Sequence, residues 1–143
     1  MKSTSDTVHG RFRRGFTLVE LLAVMMILGI LALFAIPRFV DMRERAHMTA
    51  ITSDFHNFGL SQEEYKGAHE TYAASLVDLR FQGSDGVHLE VTEATATGWA
   101  AVGTHLGLPP NQGCAIFLGD AQRPALPDGQ PHSLGSGVVE CRR

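Results

Sequence analysis

The stretch FTLVELLAVMMILGILALFAI, residues 16–36, decides the fold class of this 143-residue chain. Its only charged residue is Glu20, and its only other conventionally polar side chain is Thr17. As a helix it would extend about 31 Å at roughly 1.5 Å per residue, close to the roughly 30 Å hydrocarbon core of a bilayer. A buried core helix would need apolar partners on every face, and the rest of the chain lacks enough of them. The stretch therefore predicts a helix that crosses a membrane once.

Basic residues cluster ahead of this apolar stretch. The first fifteen residues hold one acid, Asp6, and four bases, Lys2, Arg11, Arg13 and Arg14. By the positive-inside rule, this asymmetry predicts a cytoplasmic N-terminus and an exported remainder. Without the first fifteen residues the chain has eight basic and fourteen acidic side chains, a net charge of −6. That balance gives no support for a nucleic-acid-binding surface.

Composition divides the chain into four segments. Residues 1–15 form a basic leader that is expected to be removed, and residues 16–36 form the transmembrane helix. Residues 37–67 predict an amphipathic helix, because apolar residues follow a 3-4-3 spacing that two further residues continue: Met48, Ile51, Phe55, Phe58, Gln62 and Tyr65. Pro37 removes a backbone donor and predicts a kink or local melting of the helix, with a simple helix end as the alternative.

Residues 68–143 predict a β-rich globular head. Alternating residues predict a half-buried strand at Val87–Glu93, after a turn at residues 84–86. A turn at Thr97–Gly98 leads into a second strand, 99–104, and a third is expected at 114–118, with 138–141 as a possible last one. Residues 124–137 read as an irregular loop. The predicted fold class is α+β, with the long N-terminal helix packed on a small antiparallel sheet and Trp99 in the core.

The junction between leader and helix reads RRGFTLVELL, residues 13–22. A basic leader, a Gly-Phe step, an acid in an apolar run and a proline at the end of that run coincide here. The combination resembles the N-terminal signature of type IV prepilins and type II secretion pseudoprepilins, closely over residues 11–37 and loosely beyond. An ordinary secretory signal is cleaved after its apolar core, whereas this junction precedes the core.

The resemblance implies specific roles for four residues. A membrane-embedded prepilin peptidase would cleave between Gly15 and Phe16, and the new amine of Phe16 would be methylated. Glu20 would meet the Phe16 ammonium of a neighbouring subunit during filament assembly, where a low dielectric strengthens the pair. Alternatively, Glu20 snorkels to the cytoplasmic interface without a partner. Pro37 lies where pilin helices kink or melt on assembly.

The implied function is structural and not enzymatic. The chain would be a pilin or pilin-like subunit that polymerises through its N-terminal helix into an extracellular type IV pilus. The alternatives are a type II secretion pseudopilin, which drives protein export, and a membrane-anchored binding module. Implied partners are copies of itself, other pilins, the prepilin peptidase/methyltransferase and the bacterial inner membrane. There the precursor would be a single-pass protein, before it joins an extracellular pilus or a periplasmic pseudopilus.

The two cysteines, Cys114 and Cys141, both fall in the predicted exported part, where oxidation is permitted. A disulfide is expected, with two free thiols as the alternative. It would enclose the proline- and glycine-rich loop, which resembles the disulfide-bounded C-terminal region of type IV pilins.

No metal site and no cofactor are expected. The seven histidines form no metal-binding motif, so we expect scattered, solvent-exposed side chains. Calcium would need six or more converging oxygens, and the spacing of Asp120, Asp128 and Glu140 fits no calcium-binding loop.

Overall fold

The computed structural model describes residues 15–143, so the predicted leader lies almost wholly outside the described residues. The chain divides into two units, up to Phe39 and Val40–Arg143. Helix α1, Leu18–His69, contributes to both of them. Four strands follow it in the second unit: β1 at Val87–Ala94, β2 at Trp99–His105, β3 at Gly113–Leu118 and β4 at Glu140–Arg142.

The first unit presents an apolar helix surface without a protein cover. From Phe16 to Ile36 no side chain is buried, and large apolar side chains such as Leu18 and Phe34 are 75% and 72% exposed. An 18-residue stretch of α1 near the N-terminus is apolar enough to cross a membrane, and none of its residues is buried. Pro37 lies inside α1, so the helix does not end there, and the kink stays a prediction.

In the second unit, the strands form one antiparallel sheet in the order β1-β2-β3-β4. Each strand pairs with the next, and the β1–β2 register shifts by a bulge between Val91 and Glu93. The predicted α+β class, the antiparallel sheet and the first three strands are confirmed. The possible last strand, 138–141, is also present, but it begins two residues later and ends one residue later than expected. Gly137 has a φ of 79°, and the Val138 N–H donates to the Gly135 carbonyl at 3.2 Å. The chain therefore turns at residues 136–137 and enters β4 only at Glu140.

The helix end also differs from the prediction. Gly67 does not terminate α1, which continues to His69, and Glu70 follows with a φ of 61°. The Glu70 N–H donates to the Lys66 carbonyl at 2.9 Å, so a left-handed residue caps the helix in the place that glycine often takes. Residues 70–86, at the start of the segment predicted as a β-rich head, form turns and irregular structure before β1 begins, including the expected turn at 84–86.

The core lies between the amphipathic part of α1 and the sheet. The predicted stripe is buried: Met48, Ile51, Phe55 and Phe58 are all at most 7% exposed. Trp99 is 2% exposed, and its ring meets Phe58 edge-on at 5.0 Å, which confirms its place in the core. Gly103 in β2 permits the close approach, because a Cβ there would lie 2.6 Å from Cγ2 of Ile51.

Gln62 closes the stripe with polar contacts. It is fully buried, and its side-chain amide bonds to both backbone groups of Ala73 at 2.8 Å. Both polar atoms of the side chain are thereby satisfied. The amide attaches the segment after α1 to the helix.

Candidate functional site

At the junction predicted from the sequence, α1 begins with a reciprocal pair of hydrogen bonds between Thr17 and Glu20. Residues 15–17 are not helical, and the first helical residue is Leu18. The Glu20 N–H donates to Oγ1 of Thr17 at 3.2 Å, and Oε2 of Glu20 accepts from the Thr17 N–H at 3.0 Å. The Thr17 hydroxyl also donates to the same carboxylate oxygen at 3.0 Å. This is a capping box, which satisfies N–H groups that a helix start leaves unpaired.

The capping box determines where the acid of the apolar segment lies. It holds the Glu20 carboxylate at the N-terminal end of α1, against Thr17, the residue that follows Phe16, where the helix dipole favours a negative charge. Sequence reasoning missed Thr17 as the partner, although Thr-x-x-Glu before an apolar run is a readable capping signal. The pairing of Glu20 with a neighbouring subunit stays a prediction.

The Gly15–Phe16 step is sterically open. A Cβ at Gly15 would meet no atom within 4 Å, and Phe16 is 82% exposed. Packing within the subunit therefore does not explain glycine at this position. Because glycine has no Cβ, another protein can approach the Gly15–Phe16 peptide bond closely.

At the opposite end of the chain, Cys114 and Cys141 form a disulfide. The two residues lie directly opposite each other in the β3–β4 register. The disulfide thus joins two adjacent antiparallel strands and closes the segment 115–140, as expected from the sequence.

Glu140 forms several hydrogen bonds to the loop within the disulfide-bounded segment 115–140. Its carboxylate accepts from the Ser133 N–H at 2.6 Å, from the Ser133 hydroxyl at 2.8 Å and from Arg142 at 2.9 Å. The Ser133 backbone donor is the main reason that the pKa of Glu140 is lowered from its ordinary value. His132 lies beside it, 1% exposed, with Nε2 3.1 Å from the Val138 carbonyl.

The expectation of uniformly exposed histidines was wrong. His132 is buried in the C-terminal loop, and His47 and His105 are half-buried and stack on each other with ring centroids 3.9 Å apart. Tertiary packing brings these rings to other elements, which spacing along the chain does not reveal. The remaining described histidines are exposed: His56, His69 and His88.

Among residues 15–143, no group of three or more His, Cys, Asp or Glu side chains is arranged to hold a metal ion. The three carboxylates considered for calcium have other partners, and Asp128 accepts from the Gln130 N–H at 3.0 Å. Asp120 accepts from the hydroxyls of Thr95 and Thr97, and Glu140 from Ser133 and Arg142.

Comparisons with known proteins match the N-terminal region of the chain. Residues 10–36 match the family model described as the prokaryotic N-terminal methylation motif. The type IV wide pilus major component of Thermus thermophilus is 32% identical over 101 residues, which cover 68% of this chain and 77% of that protein.

Two further relatives match over shorter shares of their own length. The type IV major pilin of Myxococcus xanthus is 28% identical over 111 residues, 77% of this chain and 50% of that protein. The type II secretion system core protein G of Pectobacterium carotovorum is 32% identical over 71 residues, 50% of this chain and 46% of the relative. The chain therefore belongs to the family of type IV pilins and type II secretion pseudopilins.

Proposed function

We propose that this protein is a structural subunit of a type IV pilus that polymerises through the first part of α1 into an extracellular filament. The observation that carries the proposal is the apolar surface from Phe16 to Ile36, where no side chain is buried. A helix that is apolar on all sides needs a lipid or protein cover. The bilayer supplies that cover for the single subunit, and neighbouring helices supply it in the filament.

Processing of the N-terminus prepares the subunit. In the proposed sequence of events, a prepilin peptidase cleaves the exposed bond between Gly15 and Phe16, and the new Phe16 amine is methylated. The basic side chains ahead of that bond keep it on the cytoplasmic side of the inner membrane. The apolar helix is retained, unlike the core of an ordinary signal peptide.

Glu20 then provides the assembly contact. Its carboxylate is held at the N-terminal end of α1 by Thr17, where the Phe16 ammonium of an adjacent subunit can reach it. In a low dielectric an unpaired carboxylate is costly, so the pair favours one stagger of neighbouring helices over others.

Two substitutions separate the charge of Glu20 from its capping role. Glu20→Gln keeps a side chain that is accepted at this position of a capping box but removes the charge. Thr17→Ala removes the cap, at a cost of about 1 kcal/mol, and keeps the charge. We expect the Glu20→Gln protein to be inserted and cleaved, but its filament yield should fall by at least about tenfold. The Thr17→Ala protein should assemble nearly normally.

Filaments would be sheared from cells, quantified by immunoblot and counted by electron microscopy. Intact-mass measurement of membrane-extracted protein supplies the control, because both variants should lack residues 1–15 and carry one methyl group. Normal filaments from Glu20→Gln would exclude the charge pair. Absence of cleavage after Gly15 would instead favour a membrane-anchored binding module.

The similarity to the secretion system core protein supports a second candidate function, a pseudopilin that drives protein export. Deletion of the gene distinguishes the two. Loss of surface pili with normal levels of secreted enzymes supports the pilus subunit, and loss of secreted enzymes with normal pili supports the pseudopilin.

A further inference from the structure

A pair of histidines joins helix α1 to the turn that follows β2. His47 on α1 stacks on His105, the last residue of β2, with ring centroids 3.9 Å apart and planes tilted by 30°. The turn, residues 105–108, follows directly, and its Leu106 is 77% exposed. The two rings therefore form a contact between the helix and this end of the sheet.

The backbone is fitted closely around both rings. A Cβ at Gly107 would lie 2.6 Å from Nε2 of His47, and a Cβ at Gly86 would lie 3.0 Å from Cε1 of His105. The Leu106 N–H donates to the Gly86 carbonyl at 2.9 Å. Side chains at either glycine would displace a ring, so the turn and the pair hold each other in place.

One hydrogen bond depends on the protonation state of His105. The Gly107 N–H donates to Nδ1 of His105 at 2.8 Å, which requires an unprotonated Nδ1. A proton added to His105 occupies this nitrogen, because the neutral ring already carries its hydrogen on Nε2. Protonation thus removes the acceptor of Gly107.

Other charged and titratable groups near the two rings also disfavour their protonation in the stacked arrangement. Arg43 lies one helical turn before His47, and His88 on β1 lines the same surface depression as His105. Burial, followed by the charges of His105 and Arg43, lowers the pKa of His47 below its ordinary value. Within residues 15–143, no carboxylate forms a hydrogen bond or ion pair with either ring.

We propose that the stacked His47–His105 pair is a pH-sensitive latch, which holds the turn at residues 105–108 on helix α1 at neutral pH and releases it in mild acid. Two charged rings at this separation repel each other, and the Gly107 N–H loses its acceptor at the same time. Leu108, at 8% exposed, stays in the core, so the release is local and moves Leu106 at the surface.

The test is NMR of the full chain in detergent micelles. The protection factor of the Gly107 amide, which corrects for the intrinsic exchange rate, would be measured between about pH 7.5 and about pH 5. We expect it to fall by about tenfold or more as the pH is lowered over this range. An unchanged protection factor in the wild-type protein would by itself overturn the proposal.

Three variants identify the cause. His105→Asn offers a side-chain oxygen near the place of Nδ1 but does not titrate, so protection of Gly107 should become independent of pH. His47→Phe keeps a stacked ring without a charge, so the transition should move to higher pH by about half a unit or more. His88→Asn, the matched control, should behave as the wild type. A fall in His105→Asn as large as in the wild type, or an unmoved midpoint in His47→Phe, contradicts the latch.

Discussion

At the scale of single residues, the head depends on buried polar groups that find partners far along the chain. Asp54 is 3% exposed, although it lies on the amphipathic part of α1 outside the apolar stripe. Its carboxylate accepts from the Ser84 N–H at 2.6 Å and from the Ser84 hydroxyl at 2.7 Å. A carboxylate buried with two donors holds the turn before β1 to the helix.

Replacement of Asp54 should therefore destabilise the head. Asp54→Ala leaves the Ser84 N–H without its charged partner, and we expect a loss of about 2–3 kcal/mol in the free energy of unfolding. Urea unfolding followed by fluorescence of Trp99, the single tryptophan of the chain, measures the loss. Asp85→Ala, an exposed acid in the same turn, is the matched control and should change stability by less than about 0.5 kcal/mol. Equal stability of the two variants would show that the Asp54 contacts contribute nothing.

At the scale of elements, β4 is the shortest strand of the sheet. It has three residues and pairs only with β3, as an edge strand. The disulfide between Cys114 and Cys141 joins these two strands across 27 positions of sequence. The carboxylate of Glu140, at the start of β4, ties the intervening loop back to the strand through Ser133.

Reduction of the disulfide should cost about 3–4 kcal/mol of stability, because the unfolded chain regains the entropy of an open loop of this length. The measurement is urea unfolding of the full chain with and without a thiol reductant. A Cys114→Ala/Cys141→Ala double variant controls for direct effects of the reductant, since its unfolding should not respond to it. If the wild-type midpoint also fails to move, the disulfide does not stabilise the head.

At the scale of the whole molecule, the two units have different sources of stability. The core residues all lie in Val40–Arg143, whereas the described part of the first unit, residues 15–39, has no buried side chain. The second unit is held by apolar packing and by carboxylates with hydrogen-bond donors. The apolar side chains of the first unit need a cover from outside the subunit. This is the physical reason that the unit suits a membrane first and a polymer afterwards.

The carboxylates predict a loss of stability in acid that is distinct from the histidine latch. The Ser133 N–H lowers the pKa of Glu140, and the Thr97 hydroxyl lowers the pKa of Asp120. A group with a lowered pKa in the folded state stabilises it above the ordinary carboxyl pKa, and this contribution disappears as the pH falls through the lowered value. The free energy of unfolding should therefore decrease between about pH 5 and about pH 3.

Urea unfolding at a series of pH values measures this slope. Glu140→Gln should flatten it, and Glu90→Gln, an exposed acid on β1, should leave it unchanged. If the free energy of unfolding of Glu140→Gln changed with pH as steeply as that of the wild type, groups other than Glu140 would cause the acid sensitivity.

Much of the fold was predictable because its signals are local. An apolar run of membrane length, a 3-4-3 stripe ending at Phe58 and alternation from Val87 onward each predict one element from neighbouring residues. The element ends were less predictable: a left-handed Glu70 caps α1 beyond Gly67, and the turn at Gly137 delays β4. Both depend on backbone conformations that these residues adopt in the folded chain.

The sequence by itself indicated the N-terminal junction, because Gly15, Phe16 and Glu20 lie within six positions of one another. It also determined the apolar helix and the face of α1 that packs on the sheet. Only the tertiary structure decided that Asp54 meets Ser84 and that His47 stacks on His105. These partners lie far apart along the chain, and the antiparallel order of the strands, together with the helix across them, brings them into contact.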